Sequence, residues 1–371
     1  MKYKRLLAAS ISAILMFSST AFAAEKTSGD DKQPTIITYD VAVQRAIDNT
    51  TDIDSLNDTI KYLDDCNSAL WNNLNGIMAL PDESYVLESD IGSSLSQTHN
   101  FSSNIKKSEY QKQMLEETAL LTTRNYLNTI DVSKESIELM KQNIEVEKET
   151  YEQMKVKNKL GMLSDKDLAT EKNKVESLQN NLASTQLALD NAYTSFEKLI
   201  GIKNGEKYVI DYDIEYEPFK LDVPLNSYIT IKTQTDPSIK AADVDIDNAK
   251  YQKNISTYET SAYSYEEKDN TLKAADRTKG DLVKDMKTNI QTCANNIDKT
   301  DEEIKAALLT IDDAKQKYDT AKVNYDVGNI TKLQLDQASL AITSAQVSLL
   351  QLYSQYDIYK IKMAHPFLIT G

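Results

Sequence analysis

Two histidines, two cysteines and several carboxylate runs are the side chains of this 371-residue sequence best suited to chemistry. His99 and His365 lie far apart, and neither has a Cys or carboxylate at metal-ligand spacing. The runs Asp301-Glu302-Glu303 and Asp312-Asp313 fall within a helical pattern, so they read as solvated helix faces or as the lining of a duct or tip. There is no Gly-rich phosphate loop, no Ser/His/Asp set and no metal-ligand run. No catalytic residue, cofactor or metal is therefore assigned, and an enzyme is not expected. Cys66 and Cys293 allow a disulfide in an oxidising compartment. The other reading is that Cys293 is a small hydrophobe on an apolar seam. Tyr126, Tyr151, Tyr318, Tyr325, Tyr356 and Tyr359 also fall on such seams, as packing groups. Gly161 and Gly328 stand out for another reason: each sits between two long helical patterns, where a left-handed turn residue is needed.

Stepping outward from Gly161, the chain reads as a helix, a tight turn and a second helix running back. After the turn, Leu168, Val175, Leu178, Leu182, Thr185, Leu189, Ala192, Phe196 and Leu199 form a stripe. From Val175 its steps alternate three and four, the a/d spacing that keeps one seam facing a partner. The incoming helix carries a matching seam: Tyr126, Ile130, Ser133, Ile137, Met140, Ile144, Glu147, Tyr151 and Met154. The same object recurs at an offset of 167, the separation of Gly161 and Gly328. Leu168 matches Leu335, Val175 matches Ile342, Leu182 matches Leu349, Leu189 matches Tyr356 and Phe196 matches Met363. The seam Cys293, Ile297, Thr300, Ile304, Ala307, Ile311, Ala314, Tyr318, Ala321 and Tyr325 matches that of the first incoming helix. The chain is an internal duplication.

Composition agrees with long helices. Nine Gly and six Pro are few for this length, and 27% of residues are charged. A mean hydropathy of −0.50 excludes a polytopic helical membrane protein. Residues 1–23 read as a signal peptide: Lys2, Lys4 and Arg5, then apolar Leu6 to Phe17, then Ala21-Phe22-Ala23. Cleavage is expected after Ala23 or one residue on. No Cys follows the site, so no lipid anchor is expected, and no stretch of about 20 apolar residues remains. Losing three cations takes the formal charge from −15 to −18. Such a chain is a poor partner for nucleic acid or an anionic membrane surface.

The expected organisation is a disordered linker over 24–37, a first repeat over 38–201, an inter-repeat linker over 202–224, a second repeat over 225–364 and a tail over 365–371. Thr38 to Asp40 offer the first helix cap, and Val43, Ala46, Ile47, Ile53, Leu56, Ile60 and Leu63 its apolar stripe. Asn75 to Asn104 breaks the helical pattern with Gly76, Pro81, Gly92 and seven serines, and is read as room for a strand pair. A long helix is expected from about Ile105 to Lys159. Tyr208 to Ile214 has strand character, bounded by Pro218. Gln234 to Ile239 matches Asp48 to Ile53 at an offset of 186. The second half therefore lacks 19 residues, assigned to the broken stretch of the first half.

The turns read Val156-Lys157-Asn158-Lys159-Leu160-Gly161-Met162-Leu163-Ser164-Asp165-Lys166-Asp167-Leu168 and Val323-Asn324-Tyr325-Asp326-Val327-Gly328-Asn329-Ile330-Thr331-Lys332-Leu333-Gln334-Leu335. This pattern, with the repeat start at Thr38 to Ile53, resembles the TolC family of outer-membrane efflux proteins. That family has a Gly-hydrophobic-Ser/Thr turn followed by Asp-Val/Leu. Asp167-Leu168 matches the pair, while Gln334-Leu335 keeps only its second member. The resemblance covers about Thr38 to Met363. It implies an all-α-dominated protomer of duplicated antiparallel hairpins with small β or coil elements, assembling as a homotrimeric extracytoplasmic α-barrel. It also implies a periplasmic adaptor and an inner-membrane pump as partners, and a place in the outer membrane and periplasm. The hairpin tips would be the adaptor-docking site: Gly161, Leu163, Ser164, Asp167 and Leu168 in one turn, Gly328, Ile330, Thr331 and Leu335 in the other.

Family members insert a pair of membrane strands between the first two helices of each repeat. Asn75 to Asn104 and Ser256 to Gly280 are poor matches to membrane strands, which need about 9 to 11 alternating residues. Two functions follow. One is an exit duct for efflux or type I secretion. The other is a barrel-less coiled-coil scaffold of the cell envelope, at the extracytoplasmic surface if the source has one membrane. An adaptor is a third reading, but its Gly-rich lipoyl-like domain is not found.

Overall fold

The computed structural model describes residues 34–78, 88–203, 205–255 and 262–369. The segment read as a signal peptide, most of the first linker and residues 79–87 of the stretch read as room for a strand pair lie outside the described residues. Among the described residues, eight helices follow in order: α1 (Tyr39–Asp48), α2 (Thr51–Met78), α3 (Glu88–Lys159), α4 (Asp165–Leu199), α5 (Leu225–Thr235), α6 (Pro237–Ile255), α7 (Ala262–Asp326) and α8 (Lys332–Ala364). A 3-10 turn, Pro366–Ile369, closes the chain.

The element bounds reproduce the duplication. Shifting α1 and α2 by 186 gives the starts of α5 and α6; shifting α3 and α4 by 167 gives the end of α7 and the start of α8. The 19-residue difference lies in α2 against α6 (28 residues against 19), in α3 against α7 (72 against 65), and in the connections between them, nine residues against six.

Long helices with polar outer faces need a buried stripe. In the first repeat, Leu127 and Ile130 of α3 pack with Ala192, Phe196 and Ile200 at the end of α4, capped by Ile37, Ala42 and Ala46. In the second, Ile290, Cys293, Ile297 and Ile304 of α7 pack with Leu349, Tyr356 and Met363 of α8. Phe196 and Met363 are both fully buried, one in each repeat at matching positions.

The helices lie side by side. α3 packs against α4 and α8 along its later part, and against α2 and α6 along its earlier part; α7 packs against α8 and α6. The repeats are joined by a polar lock. Arg124 of α3 donates from Nε and Nη2 to the two carboxylate oxygens of Asp357 on α8, at 2.6 and 3.1 Å. Asn128 Nδ2 donates to Asp357 Oδ2 (3.2 Å) and to the Ser354 carbonyl (3.4 Å), and Tyr212 of the linker donates to Asn128 Oδ1. The Arg124 guanidinium also lies over the Tyr39 ring, 4.2 Å from its centre.

Two expectations are corrected. First, residues 88–104, in the stretch read as room for a strand pair, belong to α3; the described part of 256–280, from Ala262 on, belongs to α7, in keeping with its poor match to membrane strands. The serines and amides that weaken the helical pattern in sequence are satisfied by the neighbouring α6. Ser96 Oγ donates to Gln252 Oε1 (2.7 Å), Gln252 Nε2 to Asn100 Oδ1 (3.0 Å), and Lys107 to Asp245 (2.7 Å). Tertiary packing overrides weak propensity here. Lys253 of α6 reaches Asp269 of α7 (2.6 Å), and Lys279 of α7 pairs with Asp243 of α6. Second, the linker assigned to 24–37 is structured at its end. Thr35–Ile37 forms β1, in parallel register with β2 (Tyr208–Ile210), and Ile37 is fully buried. Strand character at Tyr208 to Ile210 is as expected.

Gly92 and Gly280 lie in these helical segments, with nothing within 4 Å of an added Cβ. Gly92→Ala and Gly280→Ala should each raise stability by roughly 0.5–1 kcal/mol, the helical penalty of Gly. Urea unfolding followed by far-UV circular dichroism reads this; a loss of stability at both sites would contradict the helices.

Candidate functional site

The turns form where the sequence demands them. Gly161 and Gly328 have φ of 74° and 77°, the left-handed region open to glycine. Each closes its helix with a pair of hydrogen bonds: Gly161 N to Asn158 O and Met162 N to Lys157 O, both 2.9 Å, and Gly328 N to Tyr325 O (2.9 Å) with Asn329 N to Asn324 O (2.8 Å). Asn158 Nδ2 ties the first turn together by donating to Leu163 O (3.0 Å) and Asp165 Oδ1 (2.9 Å).

The returning helices are capped alike. Ser164 Oγ accepts from Asp167 N–H (3.1 Å) and donates to Asp167 Oδ2 (2.7 Å). Thr331 Oγ1 accepts from Gln334 N–H (3.3 Å), and Thr331 N–H donates to Gln334 Oε1 (2.9 Å). Gln334 thus stands in for Asp167 without loss of the cap. Leu163, Leu168, Ile330 and Leu335 are half-buried beneath the turns.

Both turns lie at one end of the molecule. The ammonium of Lys332 at the start of α8 is held up in pKa first by Asp336 and then by Glu149 of α3, ten residues before the end of that helix. The sequence-derived tip residues are therefore brought to one end in two turns. A third feature was missed in the sequence: Val156, Leu160 and Met162 are 58%, 69% and 73% exposed, and Val323 and Val327 are 63% and 65% exposed. Val156 matches Val323 and Leu160 matches Val327 at the offset of 167, although none lies on the a/d seam. Apolar residues that repeat off the seam were the available signal.

Elsewhere the chemistry is structural. Cys66 and Cys293 are unbridged, and burial pushes the Cys293 thiol up to about 11. His99 stacks on Tyr251 at 3.8 Å, and burial lowers its pKa. His365 Nδ1 lies 2.9 Å from Glu117. Among the described residues, no three His, Cys, Asp or Glu side chains converge as a metal site requires. Asp131 of α3 is a perturbed carboxyl among the described residues. Burial, with Asp213 and Glu135 nearby, pushes it up to about 6, against a weaker opposing bond from Ile214 N–H.

No family model matches the sequence, and no curated protein does. Solved structures do. The outer membrane channel CmeC of Campylobacter jejuni matches with a TM-score of 0.68 at 13% identity, over 94% of this chain and 90% of that one. The outer membrane protein VceC of Vibrio cholerae gives 0.62 at 12%, over 90% and 96%. The open state of the MtrE outer membrane channel of Neisseria gonorrhoeae gives 0.64 at 11%, over 92% and 93%. At these identities the shared property is the fold, and the chain has the TolC-type helical fold.

Alanine at Gly161 or Gly328 meets no neighbour but must adopt the left-handed region. Each substitution should cost about 1–2 kcal/mol in urea unfolding; no change would contradict these turns. For Asp131, the folded pKa lies above the ordinary 3.8. The folded state therefore holds a proton that the unfolded chain releases, and this contribution to stability is lost as pH rises from about 4 to about 6. Asp131→Asn should raise the melting temperature at about pH 8 and change it little at about pH 4. Equal shifts at both pH values would contradict the assignment.

Proposed function

We propose that this protein is a TolC-like exit duct: a trimeric, extracytoplasmic channel that works with an adaptor and an inner-membrane pump in efflux or type I secretion. The observation that carries the reading is the fold shared with outer-membrane channels over 90% or more of this chain in the three matches above. The exposed apolar pairs at the turns support the tip as the adaptor-docking site, with Gly161 and Gly328 shaping it and Leu163, Ser164, Asp167, Leu168, Ile330, Thr331 and Leu335 holding it in place. The apolar side chains that meet the partner are then Leu160, Met162 and Val327. On this reading the protein is not an enzyme and resides in the cell envelope, its tips pointing toward the inner membrane.

The barrel-less scaffold is kept as a second reading because of one observation. α2 and α3 are separated by nine residues and α6 and α7 by six, fewer than the roughly 18 that two membrane-tall strands need. A duct with this architecture meets the outer membrane through something other than strand pairs at these positions.

Two measurements decide. The mature protein should sediment as a trimer, and Leu160→Asp with Val327→Asp should abolish adaptor cross-linking and export while leaving the trimer intact. A monomer at all workable concentrations would overturn the duct. A trimer that exports normally with both substitutions would overturn the tip assignment. Release from the envelope by salt alone, with export lost on gene deletion, would favour a duct without an integral barrel; salt release with no export phenotype favours the scaffold.

A further inference from the structure

We infer that a second copy docks α4 onto the open face of α7, repeating between chains the contact that α8 makes with α3 inside one chain. The inference rests on the ring reading above and names the residues that close it.

Toward the turns the helices lie in the row α4–α3–α8–α7, so α4 and α7 are its two edges. α3 is the first-repeat counterpart of α7, and α8 the second-repeat counterpart of α4. The α3–α8 contact therefore specifies what an α7–α4 contact would be. Its centre is the lock of Arg124, Asn128 and Asp357. Shifting by 167, Asn128 becomes Asn295 and Asp357 becomes Asp190: the two bonded residues recur unchanged. Ser354, whose backbone carbonyl accepts from Asn128, becomes Leu187, which offers the same carbonyl.

Asp190 and Asn295 are both exposed, as is Leu187, at 62%. Within one chain they cannot meet. Two helices lie between their own, and three helix spacings come to about 25 Å. Asn295 accepts from Gln291 (3.2 Å), which leaves its own N–H groups as donors. In a second copy these would donate to Asp190 and to the Leu187 carbonyl, as Asn128 does to Asp357 and Ser354. Of the side chains Arg124, Asn128 and Asp357, Arg124 is the one not repeated; its counterpart is Gln291. The seam inside a chain is closed by a bidentate ion pair, and the seam between chains by amides on a carboxylate. Both are charge-assisted through the carboxylate, but only the Arg124–Asp357 pair is bidentate with both partners ionised, so the seam between copies is the one that parts first.

Gln291→Arg should supply the missing cation. In sedimentation equilibrium with the full mature chain, it should lower the dissociation constant of the oligomer at least tenfold. Asp190→Asn in the same chain should remove that gain. Gln291→Glu should weaken the oligomer by a similar factor, and Asp190→Lys should restore it. Both positions are exposed, and circular dichroism confirms that each variant is folded. An oligomer indifferent to these changes overturns this seam and leaves the duct standing. A wild-type chain that stays monomeric overturns the duct reading, and the seam with it.

Discussion

Burial of a narrow apolar seam is the constraint on which the rest of the molecule depends. A helix of 72 residues with charged outer faces has no reason to persist in water unless one stripe is covered. Here each outgoing helix is covered by the one that returns from its turn. This ties three things together: the length of α4 and α8, the a/d register along them, and the sharpness of the turn between partners. A looser connection at Gly161 or Gly328 would let the returning helix slip by a residue and rotate its apolar stripe out of the seam.

The seam alone would give two independent hairpins. They are joined by a different kind of interaction. Arg124 and Asp357 are held on neighbouring helices 233 positions apart, with Asn128 and Tyr212 bonded into the same cluster. The Asp357 side chain is 7% exposed and that of Arg124 24%, so the pair is partly desolvated, and its strength lies in bidentate geometry and a full set of partners. The same cluster draws in the inter-repeat linker through Tyr212, while Phe219 N–H donates to Tyr356 Oη at 2.8 Å. The linker is therefore held along the helices it connects.

What was legible in the sequence was what repeats. The two Gly turns, the seams and both offsets needed only residue types and spacing, because apolar periodicity records directly which face is covered. The helical state of residues 88–104 was not legible. Ser96, Asn100 and His99 are poor helix formers read alone, and their partners, Gln252 and Tyr251, lie more than 150 positions away. Thr35 to Ile37 were hidden for the same reason, since a three-residue strand exists only through its pairing with Tyr208 to Ile210. The tip lay between these cases. Its glycines and caps were evident, but Leu160, Met162 and Val327 lie off the seam, and a search for buried stripes passes over apolar residues facing water.

The unequal lengths of α2 and α6 have a geometric outcome. Nine residues of helix amount to about 13 Å. Any ring closed from these chains has two sorts of post at the end away from the turns, tall and short in alternation, and its rim is a crenellated edge. A partner that seats on such a rim is offered notches once per chain, not once per hairpin. That once-per-chain spacing is built into the end by a difference in helix length, before any side chain makes contact.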